Sequence, residues 1–323
     1  MITGEYIFYQ DGQEIYRSKN LITKFGKRFI TTLLAGNVSL NKQDLALGIA
    51  DGTNDYVLAD TNSRLGFEFF RVPVSFGTID IITSGSTSYY TVYKATIPQD
   101  VVGIIKEVGL YPGSRLSTNA FDSKFLADFE LNYKWYDKNN STLNPELKLV
   151  AADSSAPRIG SNFIEHAFIV GDTSSTTREF KYDVGSLDIS GYSVNDTLTL
   201  AYNRANTNSS QIKVKFYSSA TDYFFGTITP PGIGNQMDDV QMSSVFTNQV
   251  GTPDSSEIST IGIEVTRTSA ASSATIYLDG LRINDEDTFD PVFGLLSRSI
   301  LPTPLTKIAG RPVDIEYKLN IGF

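Results

Sequence analysis

The sequence contains no cysteine, one histidine (His166) and one tryptophan (Trp135) among 323 residues. The first absence excludes disulfides, thiolate zinc sites and cysteine nucleophiles together. A lone histidine excludes a multi-histidine metal centre within one chain. No apolar run reaches the ~18 residues that a membrane-spanning helix requires. The opening residues, Met1 to Tyr6, lack the basic and apolar stretches of a secretory signal, so none is expected. Cations are scarce as well. Against 36 Asp and Glu stand 27 Lys and Arg, a net charge of −9. Phosphate affinity needs clustered cations, so a general nucleic-acid binder is excluded.

Aromatic and turn-forming residues are plentiful instead: 20 Phe, 17 Tyr and 25 Gly, with many Ser, Thr, Asn and Asp. Aromatic and β-branched side chains suit pleated surfaces, and the small polar residues supply turns. This composition predicts a mainly β protein, and the length allows two domains. Near the N-terminus, Tyr6 to Tyr9 and Glu14 to Arg17 flank Asp11-Gly12, a strong hairpin signal. One amphipathic helix is predicted over about 19–36. Leu21, Ile22, Phe25, Phe29, Ile30, Leu33 and Leu34 recur at helical spacing, opposite Lys24, Lys27 and Arg28. Ser18 or Asn20 would cap it, and Gly26 within it predicts a close packing contact. Strands are expected near residues 44–50, 67–76, 78–83, 88–97 and 101–110.

Charge divides the chain. Residues 120–289 hold 12 Lys and Arg against 22 Asp and Glu, a net of −10, while the remainder holds 15 and 14. Such asymmetry points to separate modules. After residue 295 the chain returns to its opening style. Leu295 to Leu301 reads as a strand ended by Pro302 and Pro304, and Val313 to Ile321 alternates strictly. A terminal pair alone makes no stable sheet. The simplest organisation is therefore a discontinuous outer domain, 1–118 plus 290–323, built from an antiparallel sheet and one helix. An inserted β-sandwich of jelly-roll type would fill 119–289.

Short motifs in the outer domain, in order, resemble a virion protein family of tailed bacteriophages. They are Asn20 to Phe29, Leu45-Ala46-Leu47-Gly48-Ile49-Ala50-Asp51-Gly52-Thr53, Arg64-Leu65-Gly66-Phe67-Glu68, Tyr93 to Pro98, Ile105-Lys106-Glu107-Val108-Gly109-Leu110-Tyr111 and Leu296 to Lys307. The resemblance implies a non-enzymatic particle component located in the virion, with other virion proteins as partners and homo-oligomeric assembly. The insert resembles carbohydrate-binding-module jelly rolls. Phe129-Glu130 followed by Trp135 is similar to their opening strand, and Ala274 to Ile283 to their closing strand. That resemblance implies a structural calcium near Glu130 and Asp279, although two carboxylates fall short of six to eight oxygens. It also implies glycan recognition on aromatic platforms, for which Trp135, Tyr202, Tyr217, Tyr223 and Phe224 are the candidates. The plainer reading is that these aromatics fill a sandwich core.

Enzyme readings find little support in the sequence. With 22 acidic residues in the insert, any choice of a carboxylate pair is arbitrary. His166 falls in an alternating strand, Phe163 to Phe168, and reads as structural. No P-loop, G-x-S-x-G or dinucleotide fingerprint appears in its proper context. The expected function is a non-enzymatic virion structural protein whose acidic jelly roll projects outward, and the alternative is a glycan-binding adhesin. If the insert is a domain, residues 119–289 expressed alone will melt cooperatively in calorimetry; a molten or aggregated product rejects that boundary.

Overall fold

The computed structural model describes residues 2–35, 43–49, 57–83, 87–112, 124–137, 147–151, 159–168, 175–284 and 294–321. They form a mainly β structure of two compact units, Met1–Ser117 with Asp287–Phe323, and Thr118–Glu286. The predicted joints at 118/119 and 289/290, and the acidic run 285–287, lie outside the described residues.

The first unit opens on a hairpin of β1 (Ile2–Gln10) and β2 (Gln13–Lys19). Asp11 and Gly12 have φ of 53° and 76°. Two consecutive positive values make the turn whose twist matches the flanking strands. Next come β3 (Leu21–Ile22), α1 (Lys24–Leu34), β4 (Asp44–Gly48), β5 (Glu68–Pro73), β6 (Ser75–Thr83), β7 (Thr87–Ile97) and β8 (Gly103–Tyr111). The second unit follows with β9 (Lys124–Ala127), β10 (Trp135–Asp137), β11 (Leu147–Ala151), β12 (Asn162–Ala167), β13 (Thr177–Leu187) and β14 (Thr197–Arg204). It continues through β15 (Ser209–Tyr217), β16 (Tyr223–Ile228), β17 (Gly234–Gln241), α2 (Met242–Thr247), β18 (Gln249–Val250), β19 (Ile258–Arg267) and β20 (Thr275–Asn284). The chain then re-enters the first unit as β21 (Ser297–Lys307) and β22 (Val313–Ile321).

In the first unit two five-stranded sheets, ordered β2-β1-β22-β7-β6 and β3-β21-β8-β4-β5, enclose one core. Alternate residues of each strand face it, among them Tyr6, Phe8, Leu45, Leu47, Val108 and Tyr317, joined by Phe29 of α1. The aromatics of this unit are spent largely on that core. Tyr6, Phe8 and Phe67 are fully buried, and Phe69 and Phe70 pack against the core.

The helix is shorter than expected. Residues 21–22 pair with β21, and the cap is Thr23, whose Oγ1 accepts the Gly26 N–H at 2.9 Å and donates to the Leu295 carbonyl. Ser18 and Asn20 are engaged elsewhere: Ser18 Oγ lies 2.6 Å from Ser299 Oγ, and Asn20 donates to the Tyr317 hydroxyl at 2.9 Å. At Gly26 a Cβ would run into the Leu296 carbonyl, the close contact its position predicts. The prolines of β21 do not end it. Its register against β8 jumps between Ile300 and Leu305, so Pro302 and Pro304 fall in the bulge and no ladder N–H is missed.

One ion pair gathers the motif segments of this unit. Arg298 and Glu107 sit on the β21-β8 face away from the main core, yet are 1% and 0% exposed. Both Arg298 Nε and Nη2 donate to Glu107 Oε2, at 2.9 and 2.7 Å. The segment 59–67 closes over them. Asn62 Oδ1 accepts from Arg298 Nη1 at 2.9 Å, and the Phe67 N–H donates to Glu107 Oε1 at 3.1 Å. Leu65 beside them packs with Ala46, Tyr111 and Leu295.

The second unit is also a sandwich. Its sheets run β10-β13-β19-β15-β16-β18 and β11-β12-β20-β14-β17, with β9 also pairing β20. Phe180, Ile212, Val214, Phe216, Ile261 and Ile263 meet Leu198, Leu200, Ile276, Leu278 and Ile164 in the core. His166 is fully buried, its ring stacked on Phe180 and edge-on to Phe168, as a structural histidine would be.

Removing one member of a buried ion pair strands the other charge and costs about 3–5 kcal/mol, whereas an apolar replacement of both is far milder. Glu107→Ala will therefore strongly lower the thermal transition of the first unit, and the double variant Glu107→Leu with Arg298→Met will recover most of the loss. Equal destabilisation by both variants would reject the pair as the organiser of this face.

Candidate functional site: the solvent face of the six-stranded sheet

Strand parity decides what this sheet presents. In β15, Ile212, Val214 and Phe216 point into the core, so Lys213, Lys215 and Tyr217 point out. The register carries that face across the sheet. Tyr217 pairs with Tyr223 and Thr260, Lys215 with Phe225 and Gly262, and Lys213 with Thr227 and Glu264. On β13, Glu179, Lys181 and Asp183 continue the rows opposite Glu264, Gly262 and Thr260.

These side chains form one network. Glu179 and Glu264 are directly opposed like charges, a destabilising pair by itself. The Lys215 ammonium bridges them, donating to Glu179 Oε2 at 3.1 Å and Glu264 Oε2 at 2.6 Å. Burial alone would lower the Lys215 pKa, but the two carboxylates hold it above its ordinary value. The Tyr217 hydroxyl donates to Glu179 Oε1; burial first, and then this carboxylate, push the phenol pKa far up. Gly262 makes room for both: a Cβ there would stand 2.7 Å from Glu179 Oε1 and 2.9 Å from the Tyr217 ring. Ammonium groups lie over the rings of this face, Lys181 at 3.5 Å from the Tyr217 centroid, Lys215 at 4.9 Å from Tyr223 and Lys213 at 5.2 Å from Phe225. At the β10 edge Tyr136 donates to Asp183 at 2.6 Å, and burial followed by that carboxylate pushes its pKa up to about 12.

The structure sorts the predicted aromatic platforms. Tyr223 lies half-buried on this outer face. Tyr217 shares the face but is 1% exposed beneath Lys181. Trp135 is core, stacked on Phe129 at 4.9 Å and edge-on to Phe180. Tyr202 is core on the opposite sheet, its hydroxyl donating to Asp238 at 2.5 Å. Phe224 points inward beside Phe246. As sugar platforms, Trp135, Tyr202, Tyr217 and Phe224 are thus corrected: their rings are covered by protein. Phe225, half-buried next to Tyr223 on the outer face, was missed by one residue of parity. The alternation of Lys213, Lys215 and Tyr217 with Ile212, Val214 and Phe216 is the signal that would have found this face.

Glu130 and Asp279 converge on one loop. Phe129 takes a left-handed φ of 53°, which sends its ring to Trp135 while Glu130 reaches residues 161–162. Glu130 accepts from the Ser161 N–H at 3.1 Å and from the Asn162 N–H at 3.1 and 3.2 Å. Asp279 Oδ2 accepts from the Ile159 N–H at 3.3 Å. Burial raises the Glu130 pKa, and the N–H donors only partly offset it. A calcium ion needs six to eight oxygen ligands, whereas both Glu130 oxygens are turned to N–H donors. Among the described residues no group of three or more His, Asp or Glu side chains is gathered for a metal. In this structure the pair clamps the loop 159–162 through its backbone N–H groups.

No protein-family model and no curated protein matches the sequence. Solved structures with similar folds include the family 11 carbohydrate-binding module of a cellulosomal cellulase of Clostridium thermocellum. It is 17% identical, with a TM-score of 0.35 over 51% of this chain and 96% of that one. A family 30 carbohydrate-binding module is 12% identical, with a TM-score of 0.38 over 52% and 90%. An exo-beta-agarase is 14% identical, with a TM-score of 0.37 over 50% of this chain and 24% of the enzyme. The chain thus spans about a quarter of the length of that agarase. The low scores leave the sandwich resting on its own strand order.

Lys215 can be tested directly. Lys215→Met leaves Glu179 facing Glu264 and will destabilise the second unit by about 3–5 kcal/mol at neutral pH. The folded pKa of Lys215 is raised, so its contribution is present below about pH 10.5 and fades as pH rises through the higher folded value. Denaturant melts against pH should show the wild-type advantage constant to about pH 10.5 and shrinking above it; a gap independent of pH throughout that range rejects the bridge.

Proposed function

We propose that this chain is a non-catalytic binding protein whose second unit engages a glycan on the solvent face of its six-stranded sheet, while its first unit carries it in an assembly. The observation that supports glycan engagement most is that half-buried Tyr223 and Phe225 share one sheet face with Lys213 and Glu264. Aromatic rings accept the C–H face of a pyranose, and flanking ammonium and carboxylate groups bond its hydroxyls. Catalysis is disfavoured by the same network. Glycoside hydrolysis needs a carboxylic acid and a carboxylate free to act on the bond. Here Glu179 and Glu264 are both engaged by Lys215, and Glu179 by Tyr217 as well.

The assembly we propose is a tailed-phage particle. The support is the ordered motif set, whose members 64–68, 105–111 and 296–307 meet at the Glu107–Arg298 pair. In this reading the near-neutral first unit makes the particle contacts. The acidic second unit, net −10 over 120–289, stays hydrated and repels its copies.

A glycan array probed with the full chain tests the binding role. We expect a defined set of glycans to bind, and Tyr223→Ala and Phe225→Ala each to weaken binding about tenfold or more, a loss of ~1.4 kcal/mol. An array without signal, or signal unchanged in both variants, rejects it. Mass spectrometry of purified particles tests the setting, which fails if the chain is absent from them.

A further inference from the structure

A cleft of about 730 Å³ opens on the first unit, where the chain passes from β5 to β6 beside β7, β22 and the β1–β2 turn. That volume lies within the ~300–1,000 Å³ typical of small-molecule sites. Its floor is a polar grid laid down by strand register. Thr96, Asp314 and Tyr9 form one row across β7, β22 and β1. Ser75, Lys94 and Glu316 form the next across β6, β7 and β22. Strands lie ~4.8 Å apart and same-face residues ~7 Å apart, about the spacing of hydroxyls across a sugar ring.

The chemistry of the grid is mixed. Thr96 Oγ1 donates to Asp314 Oδ1 at 2.6 Å, which leaves the Oδ2 lone pairs for a ligand. Glu316 receives Lys94 at 2.9 Å on Oε1 and the Tyr9 hydroxyl at 3.3 Å on Oε2. Burial would raise the Glu316 pKa, but Lys94, Lys318 and Tyr9 bring it below its ordinary value, so it stays an acceptor. Lys94, Thr96, Ser75 and Asp314 are exposed to solvent. The Val72–Pro73 segment forms an apolar wall.

We propose that this cleft is a binding site for a neutral, hydroxyl-rich ligand, a mono- or disaccharide, separate from the sheet face of the second unit. Donors and acceptors alternate within one ring's width, which suits hydroxyls because each both donates and accepts. An anionic ligand gains little from Lys94 or Lys318, because both ammonium groups already face Glu316 and Asp314 adds a second negative charge. A basic peptide is less well served: Glu316 already holds two donors, and only one oxygen of Asp314 remains for a guanidinium that prefers a bidentate partner.

The test is calorimetric titration of the full chain with glucose, galactose, maltose, cellobiose and chitobiose, repeated on variants. We expect saturable millimolar binding of at least one sugar, weakened tenfold or more by Asp314→Ala and by Thr96→Val, and unchanged by Val194→Ala at an exposed loop position of the second unit. Both cleft residues are exposed, and unfolding curves will verify that the variants fold; Asp314→Asn replaces Asp314→Ala if it does not. The proposal is overturned if no sugar saturates, if both cleft variants bind as wild type, or if an arginine-containing peptide binds and displaces the sugar. Loss in Tyr223→Ala alone would assign the binding to the sheet face and overturn the cleft.

Discussion

The first unit depends on a charge pair that would be unfavourable if left incomplete. Arg298 and Glu107 are both inaccessible, and desolvating two ions is repaid only when geometry and further hydrogen bonds are complete. Here the complement comes from backbone and side chains of segment 59–67, through Asn62 and Phe67. The consequence is specificity of register. Arg298 reaches Glu107 only when β21 pairs β8 as observed, and the covering segment can settle only once both are in place. The same segment accepts from the first helical turn, the Lys24 N–H bonding to Asp60 at 2.7 Å, so the helix is tied to the pair as well.

The second unit solves a related problem on an open face. Glu179 and Glu264 are opposed across β13 and β19, and one lysine from β15 reconciles them. A sheet face with three strands' charges locked together is pre-organised. The side chains of the proposed binding face need not be ordered by a ligand, which lowers the entropic cost of binding.

Much of this was legible in residue order. The Asp11-Gly12 hairpin, the mainly β class and the meaning of Gly26 follow from turn chemistry, composition and packing. What failed has local physical causes. Ser18 and Asn20 are good caps in isolation, but tertiary partners on β21 and β22 claimed them and Thr23 took the role. Pro302 and Pro304 are strand breakers unless a bulge removes the need for their N–H groups, and bulges leave no clear sequence mark. Among the aromatics the error was one of parity. Phe224 and Phe225 are indistinguishable by composition, and only the core pattern of β15 and β16 tells which faces outward. Trp135 entered as one aromatic platform among several, yet its size made it the natural core filler beside Phe129.

The pairing of β8 with β21 also bears on the order of events in synthesis. Leu110 lies opposite Ser297, and in the second unit Lys124 lies opposite Ile283, so each unit brings its own two crossing points together. During translation β8 emerges long before its neighbour exists. Its edge stays unpaired while twelve further strands are made, a period in which unpaired edges invite misassembly. Loop closure across an unfolded stretch costs entropy that grows with the logarithm of its length. Once the intervening strands have folded, their ends sit side by side and the effective loop is short. A second unit that folded first would shorten the loop that β21 must close to reach β8.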